Sequence, residues 1–404
     1  MGDQGQSDDG GADWGARGPS TLAVHGGEPA VRDDRSLTTP VVLSTAYPFA
    51  DTAELRAHME RRIERPEEYG RYGNPTVEVA EAKLAALDGG EAAVLMASGM
   101  AAITTTLLAM LRAGQHVVFT SDVYRKTRQF ARQLLTRYGV EIAVVEPEIE
   151  AIEGALTDKT RIIFTETPTN PYLRIVDLPA LAKLARARRI KTIVDATFAT
   201  PMNLRPLALG IDLVVHSTTK YIGGHNDIMG GVVVGKRPLV EAIRDHLGML
   251  GAVLDPHNAY LLLRGAKTLA LRLRQQNASA LALAHLVAEH PAVARVWYPL
   301  HPSHPDHARA KAMLVGGGGV LTFELAGGLD AGTKLVDGLR IPKLAPSLGG
   351  VESLAEQPAL MSFYELEPEQ RAALGIAEGL VRYAVGIEDT ADLVDDLRRG
   401  LDRL

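Results

Sequence analysis

Short hydrophobic runs rich in β-branched residues recur between residues 91 and 235 and alternate with longer amphipathic stretches. Such runs predict buried strands, and the stretches between them have the length and periodicity of helices. Alternation of this kind is typical of βαβ units, in which helices cover a parallel sheet. The predicted strands are Ala93 to Met96, His116 to Phe119, Ile142 to Val145, Ile162 to Phe164, Thr192 to Val194, Leu213 to Val215 and Val232 to Val234.

The pattern changes after about Pro256. Helical stretches rich in Leu and Ala run from Tyr260 to Val287, strand-like runs lie at Val320 to Glu324 and Leu380 to Val385, and a last helix begins near Thr390. The predicted fold class is therefore α/β, with a large, mostly parallel sheet and a smaller α+β domain at the C-terminal end. Residues 1–18 are rich in Gly and Asp, and we expect a flexible tail there.

Composition excludes several classes of function. The 404 residues contain no cysteine, so neither a nucleophile nor a metal site can depend on a thiolate. A formal net charge of -6 gives no electrostatic reason to expect nucleic acid as a partner. Because no hydrophobic run reaches the ~18 residues of a membrane span and the first residues lack a signal-peptide pattern, we expect a cytoplasmic protein with a small-molecule ligand.

Polar residues follow the predicted strands at the points where these strands end. In open α/β sheets, ligands bind outside the carboxyl ends of the strands, so these residues are predicted to meet at one site. No metal site is expected among them. The residues are Ser98, Gly99, Met100, Asp122, Tyr124, Glu166, Asn170, Asp195 and the segment from His216 to Lys220.

Lys220 is the strongest catalytic candidate because it follows a run, Leu213 to Val215, that must be buried. Desolvation lowers the pKa of a lysine, and a neutral amine is what Schiff-base chemistry with a carbonyl compound requires. Taken alone, a lysine at a strand end more often extends its amine into solvent. The polar residues at the neighbouring strand ends favour the chemical role.

Several of those neighbours suit a phosphorylated pyridine cofactor that acts as an electron sink. Asp195 can pair with a protonated ring nitrogen. The hydroxyls of Ser217 and Thr219, with the backbone amides of Gly99 and Met100 at a helix start, can bind a phosphate. Each also has an ordinary structural alternative, since an Asp after a strand is often a helix cap and a Ser-Gly pair is often a turn.

Together these segments resemble the family of pyridoxal phosphate enzymes of cysteine and methionine metabolism. The family includes cystathionine lyases and synthases and methionine γ-lyase, and the resemblance extends from Thr21 nearly to the C-terminus. The segments that carry it are residues 69–76 (YGRYGNPT), 97–102 (ASGMAA), 166–171 (ETPTNP), 195–201 (DATFATP), 216–225 (HSTTKYIGGH), 347–353 (SLGGVES) and 381–386 (VRYAVG).

The resemblance implies a fold and an assembly. The fold would be the fold-type I PLP-dependent transferase fold, with an N-terminal arm at residues 19–65 that contacts a neighbouring subunit. A cofactor domain would span residues 66–255 and a C-terminal domain residues 256–404. The assembly would be a homotetramer, formed by two active dimers, in which Tyr69 and Arg71 reach the phosphate bound to the neighbouring subunit.

The resemblance also implies roles at the cofactor, pyridoxal 5'-phosphate. Lys220 would be the Schiff-base lysine and would shuttle protons, while Tyr124 would stack on the ring and act as acid or base. Asn170 would bind the ring hydroxyl and Asp195 the ring nitrogen. The phosphate would be bound by the segment Ser98 to Met100, with Ser217 and Thr219.

For the substrate, the resemblance implies that Arg382, assisted by Ser347, binds the carboxylate. A planar guanidinium suits this task because it donates two parallel hydrogen bonds.

The sequence departs from the family's usual pattern at three places. Arg125 and Lys126 follow Tyr124 where small residues are usual, and two cations there favour an anionic leaving group unless they point to solvent or pair with acids of a neighbouring subunit. Pro346 stands where enzymes that handle cystathionine typically have an acidic residue. Phe363 replaces a frequent His, so the pocket is expected to differ.

The sequence is compatible with three functions. The first is a lyase that performs α,γ-elimination on a γ-substituted L-amino acid other than cystathionine, and we place it first. The second is a synthase that performs γ-replacement on an activated homoserine. The third is a cofactor-binding protein without catalysis, which would predict the loss of Lys220, Tyr124 or Arg382, yet all three residues are present.

Overall fold

The computed structural model of the protein describes residues 17–29, 31–32, 34–63, 65 and 68–404. Most of the predicted tail, residues 1–16, lies outside the described residues. The α-helices are Pro19–His25 (α1), Thr52–Met59 (α2), Pro75–Asp88 (α3), Gly99–Met110 (α4), Arg125–Gln133 (α5), Ile149–Gly154 (α6), Leu178–Arg188 (α7), Thr200–Asn203 (α8), Arg237–Leu250 (α9), Pro256–Ala266 (α10), Leu269–Glu289 (α11), His307–Met313 (α12), Gly328–Gly338 (α13), Pro368–Ala373 (α14) and Thr390–Leu401 (α15).

The strands form two sheets. The first contains Ala92–Met96 (β1), His116–Thr120 (β2), Glu141–Val145 (β3), Thr160–Glu166 (β4), Lys191–Asp195 (β5), Leu213–His216 (β6) and Gly231–Gly235 (β7). The second contains Val293–Trp297 (β8), Val320–Leu325 (β9), Lys343–Leu344 (β10), Leu354–Glu356 (β11) and Leu380–Ala384 (β12).

The first sheet contains every strand predicted between residues 91 and 235, in the order β1-β7-β6-β5-β4-β2-β3. Strands β2 to β6 pair in parallel, as predicted, but β7 is antiparallel to both β1 and β6. No α-helix lies between β6 and β7. A parallel pair needs a long crossover, usually a helix, so without one the chain returns in the opposite direction.

Helices cover both faces of this sheet, which explains why its strands are hydrophobic at consecutive positions. Along β2, Val117 and Phe119 pack into one hydrophobic cluster together with residues of α4 and α9. Val118, which points to the opposite face, packs with residues of α7. Strands buried on both sides need apolar side chains at every position, not at alternate ones.

The second sheet has the order β10-β11-β12-β9-β8 and is antiparallel except between β10 and β11. The predicted strands at β9 and β12, the helices across residues 256–289 and the last helix are confirmed. Strands β8, β10 and β11 were not predicted, because β10 and β11 are short and β8 exposes Ala294 and Arg295. The predicted domain boundaries stay predictions. Within the described residues, no helix has the length and hydrophobicity needed to cross a membrane.

Candidate active site

A cavity of about 330 Å³ lies at the carboxyl ends of β1, β4, β5 and β6. Its volume is at the lower end of the range of about 300 to 1,000 Å³ typical of ligand pockets. Residues from β12 and from the segment before β11 close its other side. The predicted site residues that line it are Ser98, Gly99, Met100, Tyr124, Asn170, Asp195, Ser217, Thr219, Lys220, Ser347 and Arg382.

Lys220 lies in the segment that follows β6, and its Nζ donates a hydrogen bond to Ser347 Oγ at 2.7 Å. No carboxylate of the described residues forms an ion pair with it. Burial, and secondarily the positive charge of Arg382, lower the pKa of Lys220 to about 8. Roughly a tenth of the amine is therefore neutral at pH 7, far more than for an ordinary lysine, and the neutral form is the one that nucleophilic chemistry requires.

Ser347 has a backbone conformation that L-residues rarely adopt, with a φ of 100°. Such a conformation costs about 1 to 3 kcal/mol and persists only where neighbouring contacts enforce it. Two residues later, Gly349 has a φ of 79°, and a Cβ added there would lie 2.6 Å from the backbone nitrogen of Tyr221. The segment from Ser347 to Gly349 is therefore packed directly against the segment that carries Lys220.

Asp195 is buried at the end of β5, with one carboxylate oxygen already bonded. Its Oδ1 accepts hydrogen bonds from the backbone N–H of Thr197 at 3.0 Å and from the Thr197 hydroxyl at 2.6 Å. Burial raises the pKa of Asp195, and the hydrogen bonds from Thr197 and the charge of His216 oppose that rise. Because the hydrogen bonds from Thr197 reach Oδ1, Oδ2 is left to bind a ligand in the cavity.

The start of helix α4 lies unusually close to the end of β6. A Cβ added to Gly99 would lie 2.8 Å from the Cβ of Ser217, so any larger residue would push the two segments apart. The preceding Ser98 is the N-cap, and its hydroxyl accepts a hydrogen bond from the backbone N–H of Ala101 at 3.0 Å. The free amides of a helix start thus lie beside a serine hydroxyl, an arrangement that suits an anion.

Arg382 is buried in β12 and has three polar neighbours. It donates hydrogen bonds to Asn170 Oδ1 and to the backbone oxygen of Ser347, both at 3.2 Å. It also forms an ion pair with Glu356 at 2.8 Å. The sequence analysis missed Glu356, because an acidic residue in a three-residue strand has no local signal of burial.

Glu166 also lines the cavity, and the sequence analysis placed it at a strand end without a role. Its Oε2 accepts a hydrogen bond from the backbone N–H of Tyr124 at 2.7 Å, and in the sheet it lies beside Asp195. Burial and the charge of Asp195 raise the pKa of Glu166 well above its ordinary value. Burial therefore favours the neutral form of Glu166, and its hydrogen bond holds the segment that carries Tyr124.

This protonation state can be tested with two substitutions. Glu166→Gln preserves a neutral side chain and an oxygen for the Tyr124 amide, so kcat should stay within about threefold of the unsubstituted protein. Glu166→Ala leaves that amide unpaired, which costs about 1 to 3 kcal/mol, so kcat should fall by about 10- to 100-fold. Steady-state kinetics of both variants measures these kcat values. Equal losses in the two would mean that a negative charge is needed at this position.

Four residues with predicted cofactor or substrate roles do not line the cavity, and neither do the strand-end residues Asp122, His216 and Thr218. Tyr69 is 47% exposed, and the guanidinium of Arg71 lies 5.2 Å from its ring centre. At the start of α5, Arg125 pairs with Glu365 at 2.7 Å, while Lys126 donates a hydrogen bond to Gln129 at 2.9 Å. Within one chain, Tyr69 and Arg71 do not contribute to this cavity, and their role at a neighbouring subunit stays a prediction.

The two other positions at which the sequence departs from the family's usual pattern, 346 and 363, line different cavities. Pro346 lines the cavity that contains Lys220. Phe363 is buried and lines an adjoining cavity of about 610 Å³, which shares Asn170 with the first. The altered residue at 363 therefore contacts the neighbouring cavity and not the one around Lys220.

A sequence profile described as "Cys/Met metabolism PLP-dependent enzyme" matches residues 20–402. Cystathionine gamma-synthase 1 of Arabidopsis thaliana, a chloroplastic protein, is 47% identical over 388 residues, which cover 95% of this chain and 69% of that protein. L-methionine gamma-lyase of Pseudomonas putida is 41% identical over 387 residues, which cover 95% of this chain and 97% of that protein.

Solved structures agree with these relatives. The metB protein of Corynebacterium glutamicum superposes with a TM-score of 0.91 at 37% identity, covering 97% of this chain and all of that one (100%). Cystathionine gamma-lyase of Lactobacillus plantarum superposes with a TM-score of 0.88 at 36% identity, covering 96% and 99%. The predicted fold-type I PLP-dependent transferase fold and the cofactor, pyridoxal 5'-phosphate, are confirmed. The chain therefore belongs to the Cys/Met metabolism family of pyridoxal phosphate-dependent enzymes.

Proposed function

We propose that this enzyme performs γ-replacement on an activated L-homoserine that carries an anionic leaving group on Cγ, with a thiol as the nucleophile. The arrangement of Lys220 Nζ, Asp195 and Arg382 around one cavity carries the proposal. The identity of 47% with a cystathionine gamma-synthase, against 41% with a methionine gamma-lyase, favours replacement. The α,γ-elimination that the sequence analysis placed first is the second candidate, favoured by the lyases among the relatives.

The residues of the cavity fit pyridoxal phosphate. Asp195 Oδ2 is available to a protonated ring nitrogen, and Gly99 allows the start of α4 to approach Ser217, where a phosphate would bind. Lys220 supplies an amine whose pKa is lowered to about 8 by burial and by Arg382. When bound, the cofactor withdraws electrons from Cα of the amino acid, which makes the proton on Cα removable.

Lys220 and Arg382 would act on the two ends of the same amino acid. Arg382 binds the substrate carboxylate and so fixes the direction in which the Cα proton points. The Lys220 amine accepts this proton and delivers protons at neighbouring carbons, because its hydrogen bond to Ser347 keeps it beside the cavity. Tyr124, at the cavity wall, is the proposed acid or base near the leaving group.

Lys126 is the proposed contact for the anionic leaving group. It follows the cavity residue Tyr124 by two positions at the start of α5, and among the described residues no carboxylate pairs with it. Arg125, in contrast, is already paired with Glu365. An exposed cation two positions from a cavity residue attracts an ester that carries negative charge on its leaving group.

The other untested expectations fit the same proposal. We propose that Tyr69 and Arg71 complete the cofactor site of a neighbouring subunit, which makes a dimer the smallest active unit and a tetramer the expected assembly. Pro346 stands where family members that handle cystathionine typically have an acid, so we do not expect cystathionine to be consumed by elimination. The non-catalytic alternative is set aside, because the family is one of enzymes.

Product analysis of the holoenzyme tests the proposed reaction. O-phospho-, O-acetyl- and O-succinyl-L-homoserine and L-methionine are each supplied with and without L-cysteine, and the products are identified by mass spectrometry. We expect a thioether from an activated homoserine and cysteine, formed fastest from the phosphate ester. A 2-oxo acid and ammonia at the same rate with and without cysteine would instead establish elimination. No turnover of any of these substrates would refute a reaction at Cγ.

The same assay with Lys126→Ala tests the leaving-group contact. Loss of one charge-assisted contact should raise KM for the phosphate ester by about tenfold and leave KM for the uncharged acetyl ester nearly unchanged. Lys159→Ala, which removes another exposed lysine, is the matched control. If KM rises equally for both esters, Lys126 does not contact the leaving group.

A further inference from the structure

A buried carboxylate lies directly beside Arg382. Glu356 ends β11, and in the antiparallel pair of β11 and β12 it lies opposite Arg382. Residues opposite each other in such a pair project their side chains from the same face of the sheet. Their ion pair spans 2.8 Å, with side-chain exposures of 7% for Arg382 and 2% for Glu356.

Arg382 is the one described cation that forms an ion pair with Glu356, and neither carboxylate oxygen of Glu356 accepts a hydrogen bond of good geometry from the described residues. Burial raises the pKa of Glu356, and the charge of Arg382 opposes that rise. Removing a carboxylate from water costs several kcal/mol, which one ion pair offsets only in part. A hydrophobic pair of similar volume would stabilise the sheet as well, so fold stability does not account for a charged residue here.

Orientation of the guanidinium does account for it. The contacts with Glu356, Asn170 Oδ1 and the backbone oxygen of Ser347 reach Arg382 from three separate segments of the chain. A planar guanidinium held at three points cannot rotate freely, so its remaining N–H groups keep a fixed direction. A ligand then binds without the entropy cost of ordering that side chain.

We propose that Glu356 is a positioning residue that holds the Arg382 guanidinium in the orientation in which it binds the substrate carboxylate. This inference rests on the proposed role of Arg382. Glu356 itself does not line the cavity, so it acts through Arg382 and has no contact with the substrate. It also supplies a negative charge beside Arg382, the cation whose charge lowers the pKa of Lys220.

Two ligands that differ only in the carboxylate test this role. L-norvaline has no leaving group on Cγ, and butan-1-amine is the same molecule without its carboxylate. Calorimetric titration of the holoenzyme with each ligand gives two dissociation constants. The constant for butan-1-amine divided by that for L-norvaline measures recognition of the carboxylate alone, and weaker recognition lowers this ratio. General damage to the fold or to the cofactor site would weaken both ligands and leave the ratio unchanged.

Glu356→Ala is expected to raise the dissociation constant of norvaline by at least about tenfold and that of butan-1-amine by less than about twofold. Glu356→Gln retains an oxygen of the same reach and should keep norvaline within about threefold of the unsubstituted enzyme. Glu81→Ala removes the acid of another largely buried pair, with Arg244 at 2.7 Å, and should not change the ratio. An unchanged ratio in Glu356→Ala, or tighter binding of norvaline, overturns the proposal.

If Glu356→Ala does not fold, Glu356→Asp tests the proposal instead. It keeps the negative charge, but its side chain is shorter by one carbon, so the carboxylate lies farther from Arg382. A loss of norvaline affinity of about threefold to tenfold, with butan-1-amine unaffected, supports the positioning role, and an unchanged ratio refutes it. Arg382→Ala separates this inference from the function on which it rests. If Arg382→Ala lowers the ratio but the Glu356 variants do not, only the role of Glu356 fails. If Arg382→Ala leaves the ratio unchanged, the carboxylate site itself is misplaced.

Discussion

Lys220→Ala is expected to lower kcat by at least about 10⁴-fold, because this one amine is proposed both to hold the cofactor and to move protons on the substrate. The variant should also lose the absorbance band of the covalently bound cofactor while it still binds pyridoxal phosphate non-covalently. Single-turnover kinetics and absorbance spectra of the purified protein measure the two effects. Added methylamine should restore part of the activity, since a small amine can replace the missing side chain.

A second buried lysine provides the matched control. Lys83 has an exposed side-chain fraction of 1%, but it forms an ion pair with Glu28 at 3.0 Å and does not line the cavity. Lys83→Met should therefore lower the free energy of unfolding and leave kcat within about twofold. Activity of Lys220→Ala above about one-hundredth of the original would show that another group performs the proton transfers.

Asp195→Asn is expected to lower kcat by about 10²- to 10³-fold, the usual effect of removing a preorganised electrostatic partner from an active site. The amide can still accept the hydrogen bonds from Thr197 through its oxygen, so the local structure should persist. The change removes the negative charge that is proposed to keep the ring nitrogen protonated. The dissociation constant of pyridoxal phosphate should rise as well, and titration of the apoenzyme measures it.

Asp212 is a suitable control because it contacts the opposite end of the same strand. Its Oδ2 accepts a hydrogen bond from the backbone N–H of Thr192 at 3.0 Å, and its Oδ1 pairs with Lys191. Asp212→Asn should reduce stability slightly and leave kcat and cofactor affinity unchanged. If the two Asn variants lose kcat equally, the effect of Asp195 is one of sheet stability and not of cofactor electronics.

Much of the fold could be predicted from local hydrophobic patterns. A strand such as β2, buried on both faces, needs apolar side chains at every position, and that requirement is visible in His116 to Phe119 without any knowledge of the rest of the chain. The direction of β7 was not visible in this way. It depends on the absence of a helix between residues 217 and 230, where the chain forms turns and irregular structure.

Some residues of the cavity could likewise be predicted from the sequence, and others only from the structure. Asp195 stands directly after a hydrophobic run and Lys220 lies a few residues after another, so their place at the carboxyl edge of the sheet follows from the order of the strands. Glu166 also stands at a strand end, but nothing there indicated its role, and Glu356 had no local signal at all. Their roles depend on sheet register, which sets Glu166 beside Asp195 and Glu356 opposite Arg382.

The sequence by itself determined the fold class, the family resemblance and the position of the amine at Lys220, because periodic burial and short motifs are local properties of a chain. Only the tertiary structure decided which charges neutralise one another. Arg125 is paired with Glu365, a residue 240 positions away, whereas the neighbouring Lys126 is not. The charge on a side chain depends on all groups within a few ångströms of it, and folding brings those groups together from distant parts of the sequence.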